Sequence, residues 1–188
     1  MDAAFFAHLF ANAHPVELEI GSGKGTFLLG RGAGCSEHNL LGVEYARSYC
    51  EYAADRIRRA RLGNVRVVQA EAGHLFRVAL ADACVWRVYN FFPDPWPKRR
   101  HRRRRLIQPP FVGDLTRVLR PGGVTMIVTD HLDYFQQIQT VLGGAGGLAK
   151  VPLLRFRDAA GELVGTNFER KYIAQGRSFY ATARMKYV

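Results

Sequence analysis

The chain has 188 residues, with 27 Lys and Arg against 16 Asp and Glu, a formal charge of +11 and 48% apolar residues. This size suits a single domain over residues 1–188 whose core needs no disulfide or metal staples, and the apolar content excludes wholesale disorder. The positive balance excludes an acidic partner mimic, no apolar run approaches the roughly 20 residues that cross a bilayer, and acidic Asp2 stands where a secretory leader carries basic residues; a cytoplasmic protein without membrane contact is expected.

In chain order, Val16 to Ile20 reads as a strand and Thr26 to Arg31 as a helix. Leu40 to Val43 and Ala46 to Ala60 repeat the pair, as do Val65 to Val68 and Ala72 to Leu80, then Cys84 to Phe91 and Phe111 to Leu119, with Pro109-Pro110 suiting a helix start. Arg120-Pro121-Gly122-Gly123 predicts a helix stop and turn before a fifth strand, Val124 to Thr129, and a helix over Leu132 to Leu142. This alternation implies a parallel sheet with right-handed crossovers and a ligand site at the carboxyl edge of its strands. Gly143 to Gly147 reads as a loop. Val151 to Phe156 and Arg177 to Lys186 read as two consecutive strands with no helix after either, closing the sheet through an antiparallel element.

Cys35, Cys50 and Cys84 are odd in number and widely spaced, which fits buried thiols better than a disulfide framework or a CxxC pair. No two of the six histidines have H-x-H or H-x-x-x-H spacing, so no metal is expected.

Three features carry chemistry. Glu19-Ile20-Gly21-Ser22-Gly23-Lys24-Gly25 joins the first strand to the first helix, where a glycine turn lets a nucleotide-like ligand approach the backbone. A dinucleotide fingerprint would put its third glycine at 26, where this chain has Thr26; the glycines fall at 21, 23 and 25 behind an acid. Glu44 and Glu71 follow the second and third strands. Glu44 is placed to accept the hydroxyl protons of a ribose, its plainer reading being an N-cap or surface charge, while a helix-start carboxylate explains Glu71 equally well. The fourth strand ends in Asn90-Phe91-Phe92-Pro93-Asp94-Pro95-Trp96-Pro97, where three prolines fix the backbone around one carboxylate and one indole. Lys98 to Arg105 then holds seven fixed cations in eight residues. A solvated charged segment is the plainer reading of that run, but its place beside the Asp94 segment favours holding a polyanion against the chemistry.

E-x-G-x-G-x-G resembles motif I of the class I S-adenosyl-L-methionine-dependent methyltransferases. P-D-P-W-P-K-R-R-H-x-R-R-R is similar to the signature of the bacterial tRNA (guanine-N7)-methyltransferases, and the likeness continues through Arg104 to Phe111, Leu119 to Gly123, Thr129-Asp130 and Thr166 to Lys171. It implies one Rossmann-like α/β domain with a mostly parallel seven-stranded sheet, an antiparallel strand near the C-terminus and helices on both faces. It further implies S-adenosyl-L-methionine as methyl donor, S-adenosyl-L-homocysteine as product, tRNA as partner and N7 of guanosine 46 in the variable loop as acceptor, the protein acting as a monomer or homodimer. Carried over by position, the donor-contacting residues are Glu19, Gly21, Gly23, Gly25, Glu44, Glu71 and Asp94, with Asp94 also catalytic. Lys98, Asp130, Thr166, Asn167, Phe168 and Glu169 match substrate-binding positions; Arg99, Arg100, Arg102, Arg103, Arg104 and Arg105 would meet tRNA phosphates. At position 71 the family more often carries Asp or Asn.

Guanine N7 has a free lone pair and no proton to lose, so methylation needs placement and no base. Asp94 is therefore expected to orient the base and stabilise its developing charge. The alternatives are methylation of an exocyclic amino group, which the segment Pro93-Asp94-Pro95-Trp96 faintly resembles in its D-P-P-[YFW] form, and a non-catalytic RNA-binding subunit.

Overall fold

The computed structural model describes residues 1–153, 167–176 and 178–187. Seven strands form one sheet in the order β3-β2-β1-β4-β5-β7-β6. β1 (Val16–Ile20), β2 (Asn39–Glu44), β3 (Val65–Gln69), β4 (Val85–Phe91) and β5 (Leu119–Thr129) run parallel, and β7 (Tyr180–Lys186) pairs antiparallel with both β5 and β6 (Leu148–Val151). The helices are α1 (Ala3–Phe10), α2 (Thr26–Gly34), α3 (Arg47–Arg59), α4 (Ala72–Val78), α5 (Pro109–Val118), α6 (Leu132–Gly144) and α7 (Asn167–Ala174).

Strand periodicity sorts the two faces. Leu18, Ile20, Leu41, Val43 and Val88 face a core with Phe6 and Phe10 of α1, Phe76 of α4, Phe111 and Leu115 of α5, and Tyr134 and Ile138 of α6. On the other face Leu40 and Val65 pack with Leu28 of α2 and Ile57 of α3. Gly42 lets α2 lie flush on the sheet: a β-carbon there would come within 2.4 Å of Leu28 Cδ1 and 2.9 Å of Ser22 Oγ.

Alternation also sends Glu17 of β1 into the interior. Its carboxylate accepts from Arg31 Nε and Nη2 at 2.9 and 2.7 Å and from the Tyr89 hydroxyl at 3.0 Å, with His38 Nδ1 at 2.5 Å and Arg87 Nη1 at 3.4 Å. Burial pushes this carboxyl up, but the hydrogen bonds and charge of Arg31, with His38 and Arg87, outweigh it and hold the group below its ordinary value. The network ties β1 to α2 and β4.

Three expectations change, and one helix is new. The Arg120 to Gly123 turn is taken into β5, whose ladder begins at Leu119 and shifts register between Val85 and Arg87, a bulge that Gly122 accommodates at φ +75°. Gly143 and Gly144 complete α6, leaving only 145–147 as the connection to β6. β6 begins earlier than Val151, ends there and is separated from β7 by α7, so the last two strands are not a simple hairpin; residues 154–156 and Arg177 lie outside the described residues. The new helix is α1, whose short run Ala-Ala-Phe-Phe-Ala-His-Leu-Phe is capped by Asp2 accepting the Phe5 amide.

Candidate active site

Strand order reverses beside β1, and at the carboxyl edge of β1, β2 and β4 a cavity of about 660 Å³ opens, where an open α/β sheet places its ligand. The glycine turn forms one wall. Gly21, Gly23 and Gly25 have φ of +73°, +52° and +71°, a left-handed path that side chains disfavour, and the Gly21 and Ser22 amides donate to Val43 O at 2.8 and 3.2 Å.

Around this turn the described residues leave three buried polar atoms without a hydrogen-bond partner: Glu19 Oε2, Ser22 Oγ and Asn90 Oδ1. Buried polar groups are rarely left so unless a ligand, ion or water completes them. Burial pushes the Glu19 carboxyl well above the usual carboxylate range, and the nearby charge of Glu44 adds to the effect. Glu44 lines the cavity while Oε2 accepts the Gly23 amide and Oε1 the Ala46 amide, both at 2.8 Å. Glu71 also lines the cavity and caps α4, accepting the Gly73 and His74 amides at 2.8 and 2.7 Å. Its helix-start reading is therefore realised; a carboxylate with about four lone-pair sites retains acceptor capacity toward the cavity. Tyr45, Tyr49 and Phe91 supply aromatic walls. Such a lining fits a ligand that carries an amine, hydroxyls and an aromatic base.

The mouth is formed by the segment after β4. The Phe92 amide donates to Val128 O at 2.7 Å, and Phe92 and Trp96 both take positive φ, +51° and +41°. Non-glycine residues in that region cost on the order of 1–3 kcal/mol each and persist only where their surroundings over-determine them. Between them Asp94 is exposed, with its neighbours Pro93 and Trp96 lining the same cavity. Trp96 is half-buried at this rim: the Arg104 guanidinium lies 4.9 Å from its ring centre and His101 meets it edge-on at 6.0 Å.

Arg99–Arg104 form a 3-10 helix directly beside the mouth. Lys98, Arg99, Arg100, Arg102, Arg103 and Arg104 are exposed, Arg102 also pairing with Asp133 at 3.0 Å. Arg105 departs from the expectation of a phosphate contact. Its side chain is 1% exposed, and it donates to Pro95 O, Gln137 Oε1 and Asp133 Oδ2 at 2.8, 2.8 and 2.5 Å; a guanidinium enclosed on these acceptors has no face for RNA.

Among the remaining expected substrate residues, Asp130 is half-buried at the end of β5, adjacent to β4, and Glu169 is buried in α7. Asn167 and Phe168 open α7, and Thr166 lies outside the described residues. Tyr45, Tyr49 and Asn90 line the cavity without having been singled out; the place of Tyr45 and Asn90 at or just after strand carboxyl ends, and of Tyr49 in the first turn of α3, was the available signal. Among the described residues no group of three or more His, Cys, Asp or Glu could hold a metal, and no helix is long and apolar enough to cross a membrane.

Residues 13–182 match the family described as "Putative methyltransferase". A tRNA (guanine-N(7)-)-methyltransferase of Syntrophotalea carbinolica is 35% identical over 178 residues, 94% of this chain and 76% of that protein. One from Alkalilimnicola ehrlichii is 35% identical over 91% of this chain and 72% of its own length. Among solved structures, the 16S rRNA methyltransferase KamB superposes with a TM-score of 0.70 at 16% identity, covering 100% of this chain and 95% of that one. A SAM dependent methyltransferase from Aquifex aeolicus gives 0.62 at 16% identity, covering 98% and 89%. These two likenesses establish the class of fold.

Proposed function

This chain belongs to the tRNA (guanine-N(7)-)-methyltransferase family, and we propose that it transfers the methyl group of S-adenosyl-L-methionine to N7 of a guanosine in tRNA, at position 46 of the variable loop. The observation that carries this reading is one juxtaposition: a cavity fitted to an amine, hydroxyls and a base opens between Asp94 and a helix of exposed cations. The donor supplies an electrophilic methyl on a sulfonium and leaves as S-adenosyl-L-homocysteine.

The chain's residues place the reactants. Glu19 Oε2 and the turn at Gly21, Gly23 and Gly25 receive the amino-acid end, Glu44 the ribose hydroxyls, and Glu71 with Tyr45 and Tyr49 the adenine. Asp94 at the mouth accepts from the Watson–Crick edge of guanine, whose N1–H and amino group adenine cannot match, and its negative charge stabilises the positive charge that develops on the base. Asp130, Lys98 and the segment Asn167, Phe168 and Glu169 complete the base site, and Arg99, Arg100, Arg102, Arg103 and Arg104 hold the phosphates. N7 carries no proton, so no residue need remove one, and rate comes from holding N7 in line with the methyl, a contribution of about 7 to 11 kcal/mol in favourable cases. A partner of this kind is met in the cytoplasm, by a monomer or a homodimer.

The test incubates the protein with labelled S-adenosyl-L-methionine and unmodified tRNA and digests the product to nucleosides. Labelled 7-methylguanosine, lost in Asp94→Ala, is expected. Label in an amino-methylated nucleoside, or none with the donor still bound, overturns the reading.

A further inference from the structure

The Asp94 segment has no helix or strand of its own to hold it, yet two of its residues, Phe92 and Trp96, sit in left-handed backbone. Something must over-determine it. At the Phe92 end the main-chain bond to Val128 O does so. At the other end the Pro95 carbonyl, between Asp94 and Trp96, accepts from Arg105 Nε at 2.8 Å.

Arg105 is in turn fixed from α6. Gln137 and Asp133 take its other two nitrogens, and the Tyr134 ring lies 4.8 Å beneath the guanidinium. The next turn of chain is gripped by the same helix face, with the Ile107 amide donating to the Tyr134 hydroxyl at 3.1 Å and Gln137 Nε2 donating to Ile107 O at 3.0 Å. The Arg105 hydrogen bond holds the Asp133 carboxyl below its ordinary value, keeping it ionised as the clamp requires.

We propose that Arg105 is the positioning residue of the active site: its planar fork, braced by Asp133, Tyr134 and Gln137, holds the Pro95 carbonyl and so sets where Asp94 and Trp96 stand over the cavity. This goes beyond the proposed methyl transfer and rests on it for its effect on rate. A reaction that depends on placement is sensitive to such a bond, a 1 Å error costing up to about a hundredfold. Lysine keeps the charge but cannot serve three divergent acceptors from one plane. The one buried arginine of the run thus serves the chemistry, and its exposed neighbours serve the RNA.

The experiment uses the full chain carrying Trp86→Phe, which leaves Trp96 as the sole indole. Arg105→Lys is expected to lower the rate at saturating donor and tRNA about tenfold or more and at least to double acrylamide quenching of Trp96, while the slope of log affinity for tRNA against log salt stays at the parent value. Arg103→Ala supplies the reference for a lost phosphate contact, a slope reduced by about 0.7. Gln137→Met removes one brace without touching Arg105, and a threefold fall in rate with a smaller rise in quenching is expected. Parental rate and quenching in Arg105→Lys, or an Arg105→Ala slope reduced like that of Arg103→Ala, overturns the proposal. A parent that methylates no tRNA while Trp96 still responds to Arg105→Lys overturns the proposed function and supports the clamp; methylation without that response overturns the clamp alone.

Discussion

Glu44 at the end of β2 accepts the Gly23 amide at 2.8 Å, across 21 residues of chain, and the Ala46 amide at the same distance. One carboxylate thereby fixes the glycine turn relative to the start of α3 and still faces the cavity. Glu44→Ala removes both the brace and the acceptor offered to a ribose, and donor affinity is expected to fall about ten- to hundredfold, on the order of 1.5–3 kcal/mol for hydrogen bonds to a charged group. Calorimetric titration with S-adenosyl-L-homocysteine measures it; unchanged affinity removes Glu44 from the site.

Glu19 predicts a proton linkage. Its carboxyl is raised by burial and by the Glu44 charge, and a bound ammonium favours the ionised form, so its pKa is lower in the complex than in the free protein. Binding then releases a proton in the interval between the two values, and affinity rises with pH across it and levels off above the free-state value. Titrations in buffers of different ionisation enthalpy count the proton. In Glu19→Gln the release attributable to this carboxyl disappears and affinity falls; identical proton counts in both proteins refute the assignment.

The exposed cations predict a steep salt dependence. An RNA that places about five phosphates on Lys98 and Arg99 to Arg104 loses on the order of a hundredfold in affinity between about 50 and 200 mM salt. Filter binding across that range checks this, and a flat response would show that the basic helix does not meet the tRNA.

Glu17 predicts a stability effect remote from the chemistry. Glu17→Ala leaves Arg31, His38, Arg87 and Tyr89 facing a buried gap, and breaking such a pair costs about 3–5 kcal/mol. Because the folded carboxyl lies below its ordinary 4.5, its contribution is present above that value and is lost as pH falls through the folded pKa. Urea unfolding should therefore separate wild type from Glu17→Ala widely at neutral pH, and the separation should shrink as pH is lowered below 4.5.

Much of this was legible in local pattern. Val16 to Ile20 coincides with β1; Glu19 stands within β1, Glu44 ends β2, Glu71 comes just after β3 and the Asp94 segment after β4, so gathering them at one edge of the sheet required only the topology. Arg105 was not legible, because nothing local distinguishes it from the arginines before it; its burial depends on α6, some 30 residues away. Glu17 could have been found: period two sends it and Glu19 to the same side of a fully buried strand, and a buried carboxylate needs either cations or a ligand. Glu17 has the cations, whereas Glu19 keeps one carboxylate oxygen without a hydrogen-bond partner among the described residues. α7 escaped because its polar sequence, Asn-Phe-Glu-Arg-Lys-Tyr-Ile-Ala, shows no wide apolar face.

Six exposed cations crowded into seven residues, Lys98 to Arg104, repel one another, and a free chain of them would have to be gathered by its partner at an entropic cost. Here the 3-10 helix is fastened at one end by the buried Arg105 and along its side by Arg104 against Trp96. Folding has already ordered the backbone of the array, so a tRNA binding as proposed would meet a plate of charge held beside the cavity mouth. Long-range attraction then raises the frequency of encounter, and the plate's fixed position aligns each encounter with the Asp94 rim. The search that remains is the orientation of the RNA, so charge substitutions in this helix act first on the association rate.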